Sequence, residues 1–227
     1  NRVRQLGENP STIFNVGSLG AYNAKNTKLF SKKEIEKKLK IKLNKTVIIV
    51  TYHATTSLKN SALKEIKEIL MALNYFSYAT IIFTMANADP ESNLINNKVI
   101  KFVKNNPNCY FFHSLGSQLF FSILKISTLQ MGNSSSGIIE SPTLKVKNLN
   151  IGKRQEGRVS SDYNINCQPK KREIINKLNN IINKNILTKV NKKNPYFKKN
   201  TPDKILQVLK KTYLDKLNYK IFQDIKI

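Results

Sequence analysis

Apolar positions along the chain alternate between two patterns. Thr46 to Tyr52 (TVIIVTY) and Thr80 to Thr84 are short continuous runs rich in β-branched residues, the pattern of strands buried on both faces. Ile13 to Val16, Cys109 to Phe112, Leu129 to Met131 and Leu149 to Ile151 are shorter runs that predict further strands. Between them the spacing becomes helical. Asn60 to Tyr75 puts Leu63, Ile66, Ile69, Leu70 and Leu73 on one stripe. Ser31 to Leu43 predicts a charged helix with Ser31 as its N-cap. Leu94 to Val103, Gln118 to Ile126 and a helix opening at Gly137 complete the alternation, and helices at Arg172 to Ile186 and Lys204 to Ile221 follow around an Asn-, Lys- and Pro-bearing loop.

Regular β-α alternation with continuous apolar strands predicts an α/β fold, a Rossmann-like doubly wound parallel sheet with helices on both faces. Residues 1–170 are expected to form this domain, and residues 171–227 a Lys-rich helical tail. In such a sheet ligands bind beyond the carboxyl ends of the strands. That rule selects Gly17 and Ser18, His53, Asn87 to Asp89, Asn133 to Ser136, and Gly152 to Arg154.

Composition changes the picture little. The chain of 227 residues, 40% of them hydrophobic, can bury a substantial core. It has no apolar run of membrane-spanning length and no signal-peptide pattern, so a cytoplasmic protein without a membrane partner is expected. It opens on Asn1-Arg2-Val3 rather than Met, as a piece of a longer protein would. Cys109 and Cys167 fit no metal spacing and are expected to be buried thiols; no metal or cofactor is called for. The net charge of +25 suggests a polyanion partner, but only five of the 39 basic residues are Arg. Scattered Lys among Asn and Ile is what a low-GC coding bias leaves on solvated faces. A sequence-reading nucleic-acid protein relies on Arg for bidentate contacts, so that partner is disfavoured.

Three segments carry candidate chemistry. In Gly132-Asn133-Ser134-Ser135-Ser136-Gly137-Ile138-Ile139-Glu140 a strand gives way to a Ser/Gly loop and a helix start. Free N–H groups, a positive dipole end and hydroxyl donors suit a diphosphate, and Glu140 could accept from ribose hydroxyls. An ordinary Ser cap has the same appearance. In Asn150-Ile151-Gly152-Lys153-Arg154-Gln155-Glu156-Gly157-Arg158, two Arg in a chain that otherwise uses Lys mark Arg154 as a phosphate or nucleotide contact, with Arg158 undecided between that and a solvated loop. His53 leaves the most apolar strand and could hydrogen-bond phosphate or move a proton; a His satisfied by backbone is the plainer reading, and the one preferred for His113. Asn87 and Asp89 read as a turn supporting the site, while Phe111, Phe112, Phe120 and Phe121 read mostly as core, with one of them able to stack on a base.

Together with Val16-Gly17-Ser18-Leu19-Gly20, Val50-Thr51-Tyr52-His53 and Asn87-Ala88-Asp89-Pro90, these segments resemble the hydrolysing UDP-N-acetylglucosamine 2-epimerases of sialic-acid and related nonulosonate pathways, over roughly Arg2 to Cys167. The resemblance implies the C-terminal half of a two-domain, GT-B-like enzyme. It implies that Ser134, Ser135, Ser136, Gly137 and Glu140 hold diphosphate and ribose, that Arg154 contacts the nucleotide, that Phe120 stacks on uracil, and that His53 acts beside the diphosphate and sugar. Gly17, Asn87, Asp89 and Arg158 would support them. The implied reaction converts UDP-N-acetylglucosamine, or a related UDP-diacetylated sugar, to the free C2-inverted sugar plus UDP. Its partners would be that UDP-sugar and the N-terminal domain carrying the acid/base carboxylates; a homo-oligomer is compatible with it. The chain departs from the family at Ala54, where Pro is usual, at Met85 and Ala86, where a Pro is expected, and at Lys145 and Lys147, which replace Gly and Pro and leave the turn there open. A GT-B glycosyltransferase half and a basic nucleic-acid-binding module are the competing readings.

Overall fold

The computed structural model describes residues 1–227 except 56–60, 184–192, 213–220 and 225–227. In chain order the elements are α1 (Arg2–Gln5), α2 (Leu19–Asn26), α3 (Lys32–Leu39), β1 (Val47–Thr51), α4 (Ala62–Leu73), β2 (Thr80–Thr84), α5 (Ser92–Lys104), β3 (Cys109–Phe112), α6 (Gly116–Ile126), β4 (Leu129–Gly132), α7 (Ser136–Ile139), β5 (Lys147–Ile151), β6 (Asn164–Cys167), α8 (Lys171–Asn183) and α9 (Thr201–Lys211). The strands form one wholly parallel sheet in the order β3-β2-β1-β4-β5-β6, the doubly wound arrangement expected.

Alternate strand residues feed two cores. Ile48, Val50, Ile81, Phe83, Leu129, Met131, Leu149 and Ile151 face α4, α5 and α8, where Ile66, Ile69, Leu73, Ile95, Ile174 and Leu178 meet them. Val47, Ile49 and Ile82 face the other way, against Ala24, Ile35, Phe121, Ile123 and Leu124 of α2, α3 and α6. This two-sided burial is why the strands read as continuous apolar runs. Each such Ile or Leu contributes roughly 1.5–3 kcal/mol by leaving water. Both cysteines are buried free thiols.

Several boundaries differ from expectation, each for a local reason. Ile13 to Val16 forms no strand. Residues 196–201 satisfy this stretch instead: Ser18 N–H donates to the Tyr196 carbonyl (2.8 Å), Lys198 Nζ to that of Asn15 (2.8 Å) and Thr201 Oγ1 to that of Val16 (2.9 Å). Ser31 does cap α3, in a capping box with Glu34, but the helix stops at Leu39 because Lys40 turns left-handed (φ 54°). Of the α4 stripe, Leu63 lies exposed while Ile66, Ile69, Leu70 and Leu73 are buried. The helix expected from Gly137 is a single turn, Ser136–Ile139. The turn left open at Lys145 forms: Lys145 takes φ 62°, a conformation suited to the usual Gly, and Val146 N–H closes it on Ser141 (2.9 Å). Strand β6 was not foreseen. Of the C-terminal helices, α8 ends its described part at Asn183, and the rest of the span to Ile186 lies outside the described residues. Helix α9 begins earlier than expected and ends at Lys211; most of the remaining span to Ile221 is likewise outside.

Candidate functional site

The chain reverses its winding between β1 and β4, and the candidate residues gather beyond the carboxyl ends of these two neighbours. Thr51 pairs with Gly132 at the last rung. Gly132 has φ 130°, and a Cβ there would sit 2.0 Å from the Thr51 carbonyl oxygen, so only glycine brings β4 this close. Asn133 follows, buried, and its amide clasps the backbone of His53 in both directions: His53 N–H donates to Oδ1 and Nδ2 donates to the His53 carbonyl, each at 2.8 Å.

A cleft of about 450 Å³ opens over this junction. His53, Asn87, Phe120, Ser134, Ser136 and Glu140 all line it, as do His113 and Phe121. Six positions singled out in the sequence thus come from loops after β1, β2 and β4 and from α6 onto one cavity. Arg154 stands just behind, with Nη1 donating to the Asn133 carbonyl (3.3 Å) beside Gln155 Nε2 (2.8 Å). Ser135 and Gly137 belong to the same turn, but Gly137 packs down on Asn148 of β5, where a Cβ would lie 2.4 Å from the amide. Asp89 acts on His53 electrostatically. Gly17 is elsewhere, packed against Lys198 and Thr201 at the start of α9 with φ 93°. Arg158 lines a separate polar cavity under the loop after β5, with Asn150 and Cys167.

His53 is 5% exposed. Its Nδ1 accepts the Asn87 N–H (3.0 Å), which leaves the proton on Nε2. Burial, then the nearby Arg154 charge, lower its pKa to about 4, with Asp89 opposing. At neutral pH it is therefore an uncharged donor. Burial raises the pKa of Glu140, whose Oε2 has no hydrogen-bond partner among the described residues while Oε1 lies against Gly20, where a Cβ would meet it at 2.3 Å. Gly20 thus leaves room for this carboxylate at the start of α2. The serine turn is more closed than its sequence suggests. Ser136 N–H already turns back on Ser134 Oγ (3.4 Å), and Ser136 Oγ meets both Gln130 Nε2 (2.5 Å) and Ser134 Oγ (3.1 Å). Ser134 and Ser136 both line the cleft, with their hydroxyls engaged with each other.

Sequence reasoning placed Asn133 at a strand end, and Gln155 and Gly20 inside quoted segments, without giving any of the three a role, and it passed over Gln130. The signal for the first was present: a Gly-Asn pair at the end of a buried strand. The others gain their places only by long-range packing. Among the described residues no cluster of His, Cys, Asp and Glu is arranged to hold a metal, and no helix is long and apolar enough to cross a membrane.

A family profile described as UDP-N-acetylglucosamine 2-epimerase matches residues 1–210. The GDP/UDP-N,N'-diacetylbacillosamine 2-epimerase (hydrolyzing) of Campylobacter jejuni is 42% identical over 168 residues, 74% of this chain and 44% of that protein. Polysialic acid biosynthesis protein P7 of Escherichia coli is 38% identical over 227 residues, 99% of this chain and 58% of that protein. The chain thus spans about half the length of these curated relatives. Among solved structures, a Methanocaldococcus jannaschii UDP-GlcNAc 2-epimerase in complex with UDP-GlcNAc and UDP superposes with a TM-score of 0.68 at 20% identity, covering 92% of this chain and 57% of that one, a likeness of fold. With the profile spanning most of its length, this chain belongs to the UDP-N-acetylglucosamine 2-epimerase family.

Proposed function

We propose that the chain supplies the UDP-binding half of a hydrolysing 2-epimerase acting on UDP-N-acetylglucosamine or a related UDP-diacetylated sugar. The observation that carries this reading is the convergence of His53, Asn87, Phe120, Ser134, Ser136 and Glu140 on one cleft at the sheet's switch point. The family's reaction removes the C2 proton while UDP departs from C1, then adds water to the glycal. Its electrostatic demand is stabilisation of charge on the departing diphosphate. An uncharged His53 Nε2–H, the Ser134 and Ser136 hydroxyls and the guanidinium of Arg154 are donors suited to that charge. Glu140 is the ribose acceptor, and Phe120 the face for the base. The acid/base carboxylates near C2 belong, on the family pattern, to the other domain. The chain by itself then binds UDP without turning over a UDP-sugar.

Calorimetric titration with UDP at moderately high salt, beside Glu140→Gln, tests the reading. Saturable binding that weakens about tenfold in the variant, the loss of one hydrogen bond to a charged group, is expected. No binding by the folded chain would sink it. Release of UDP from UDP-N-acetylglucosamine by this chain alone would contradict the division of labour between the two domains.

A further inference from the structure

We propose that Asn133 is the positioning residue that holds His53 and the Arg154 loop in one fixed relation, so that the two donors on either side of the β1–β4 junction are set together. The functional part of this proposal rests on the nucleotide-site reading above; the structural part does not.

Asn133 is 1% exposed and connects three segments. Its side chain exchanges two 2.8 Å hydrogen bonds with the backbone of His53, as a neighbouring strand residue would. Its own N–H reaches the Thr51 carbonyl at 3.2 Å. The β1–β4 ladder is thereby extended past the last true rung, where parallel strands usually diverge into loops. Its carbonyl takes Gln155 Nε2 and Arg154 Nη1, at 2.8 and 3.3 Å. His53 is anchored on the opposite side by the Asn87 N–H on Nδ1. The ring is thus fixed between two loops, with its backbone set by Asn133 and its tautomer by Asn87.

The chemistry at position 133 has little latitude. The side chain must accept from one N–H and donate to one carbonyl, both buried, over the reach of a single methylene. Asparagine does both. Aspartate accepts but cannot donate, which leaves the His53 carbonyl unpaired and places a negative charge beside the imidazole. Serine is too short to span both groups. Asn133 contacts neither base nor sugar on this reading; it acts through His53 and Arg154.

The chain contains two histidines, which makes the test direct. Ring ¹⁵N shifts of His53, assigned against His113→Asn, report tautomer and titration in wild type, Asn133→Asp and Asn133→Ser, with thermal unfolding as the check on folding. The expected result is an Nε2–H tautomer in wild type, and in Asn133→Asp a midpoint raised by at least one pH unit because the carboxylate favours the imidazolium. UDP affinity should fall at least tenfold in Asn133→Asp, and the combined loss with Arg154→Lys should be smaller than the product of the single losses. A folded Asn133→Asp whose His53 keeps the wild-type titration, or a folded Asn133→Ser with unchanged UDP affinity, overturns the proposal. Should neither variant fold, the Asn133 side-chain amide protons of wild type decide it: slow exchange with solvent supports the clasp, fast exchange refutes it. If wild type binds no UDP, the nucleotide reading fails, while the His53 comparison still decides whether Asn133 positions the ring.

Discussion

Acidification should destabilise this protein through His53, and the size of the effect follows from its surroundings. An unfolded imidazole titrates near 6.5. The folded one, buried and facing Arg154, titrates at about 4. Between these values the unfolded chain binds a proton that the folded chain refuses, so stability falls as pH falls. The contribution is complete above about pH 6.5, erodes down to about pH 4 and is constant below. A gap from about 6.5 to about 4 corresponds to roughly 3.4 kcal/mol at the acid limit, with about 1.4 kcal/mol lost by pH 5.5 and about 2.5 kcal/mol by pH 4.5. Protonation would also take the Nδ1 lone pair from the Asn87 N–H, which adds to the penalty in the same direction. Glu140 works the other way: its raised pKa makes the folded state bind protons more readily, so its contribution grows as pH falls. Urea unfolding of wild type and His53→Gln at pH 7.5, 5.5 and 4.5 separates the two, because Glu140 is common to both. Wild type should lose the stated amounts relative to the variant. Parallel stability curves across that range would refute the reasoning.

Three further substitutions test other parts of the argument. Gly132→Ala puts a methyl 2.0 Å from a backbone oxygen at φ 130°, and should cost about 3 kcal/mol or more by urea unfolding; a loss under about 1 kcal/mol would mean the β1–β4 approach is looser than described. Lys145→Gly relieves a left-handed residue at φ 62° and should stabilise by about 0.5–1 kcal/mol in the same assay, after the entropy of the freer unfolded chain is subtracted. Phe120→Leu keeps an apolar wall but removes the ring that meets Phe121 edge-on at 6.0 Å; UDP affinity should drop by about 1 kcal/mol or more by calorimetry, and unchanged affinity would remove Phe120 from the base site.

Much of the candidate site was legible because it obeys a positional rule. His53, Asn87, Ser134 and Ser136 were chosen as polar residues after apolar strands, and all four line the cleft, as does Glu140, chosen as a carboxylate one turn into the helix that follows. Gly17 passed the same filter for a different reason. Its φ of 93° serves a packing contact with α9, which a sequence pattern cannot distinguish from a ligand loop. Arg158 was selected by its type, but the loop after β5 turns it toward another cavity while Arg154 is held near Asn133. Strand β6 escaped notice because Asn164-Ile165-Asn166-Cys167 is half polar. It is an edge strand whose Asn164 and Asn166 accept from Asn148 and Asn150 across β5, so amide pairs replace the apolar face that usually identifies a strand.

The sequence by itself determined the elements that depend on near neighbours. Strand β1 follows from its β-branched run, α3 from its Ser31 N-cap, and the doubly wound class from strict alternation of the two periods. Those features are encoded within a dozen residues, and local sterics and burial suffice to read them. Only the tertiary structure decided which distant groups meet. The approach of Gly132 to Thr51, the clasp of Asn133 on His53, the uncharged state of that histidine and the space Gly20 leaves for Glu140 each join residues about 80 to 120 positions apart. Their energies arise from exclusion of water and from close packing and hydrogen bonds, and neither exists until the parallel strands are in register.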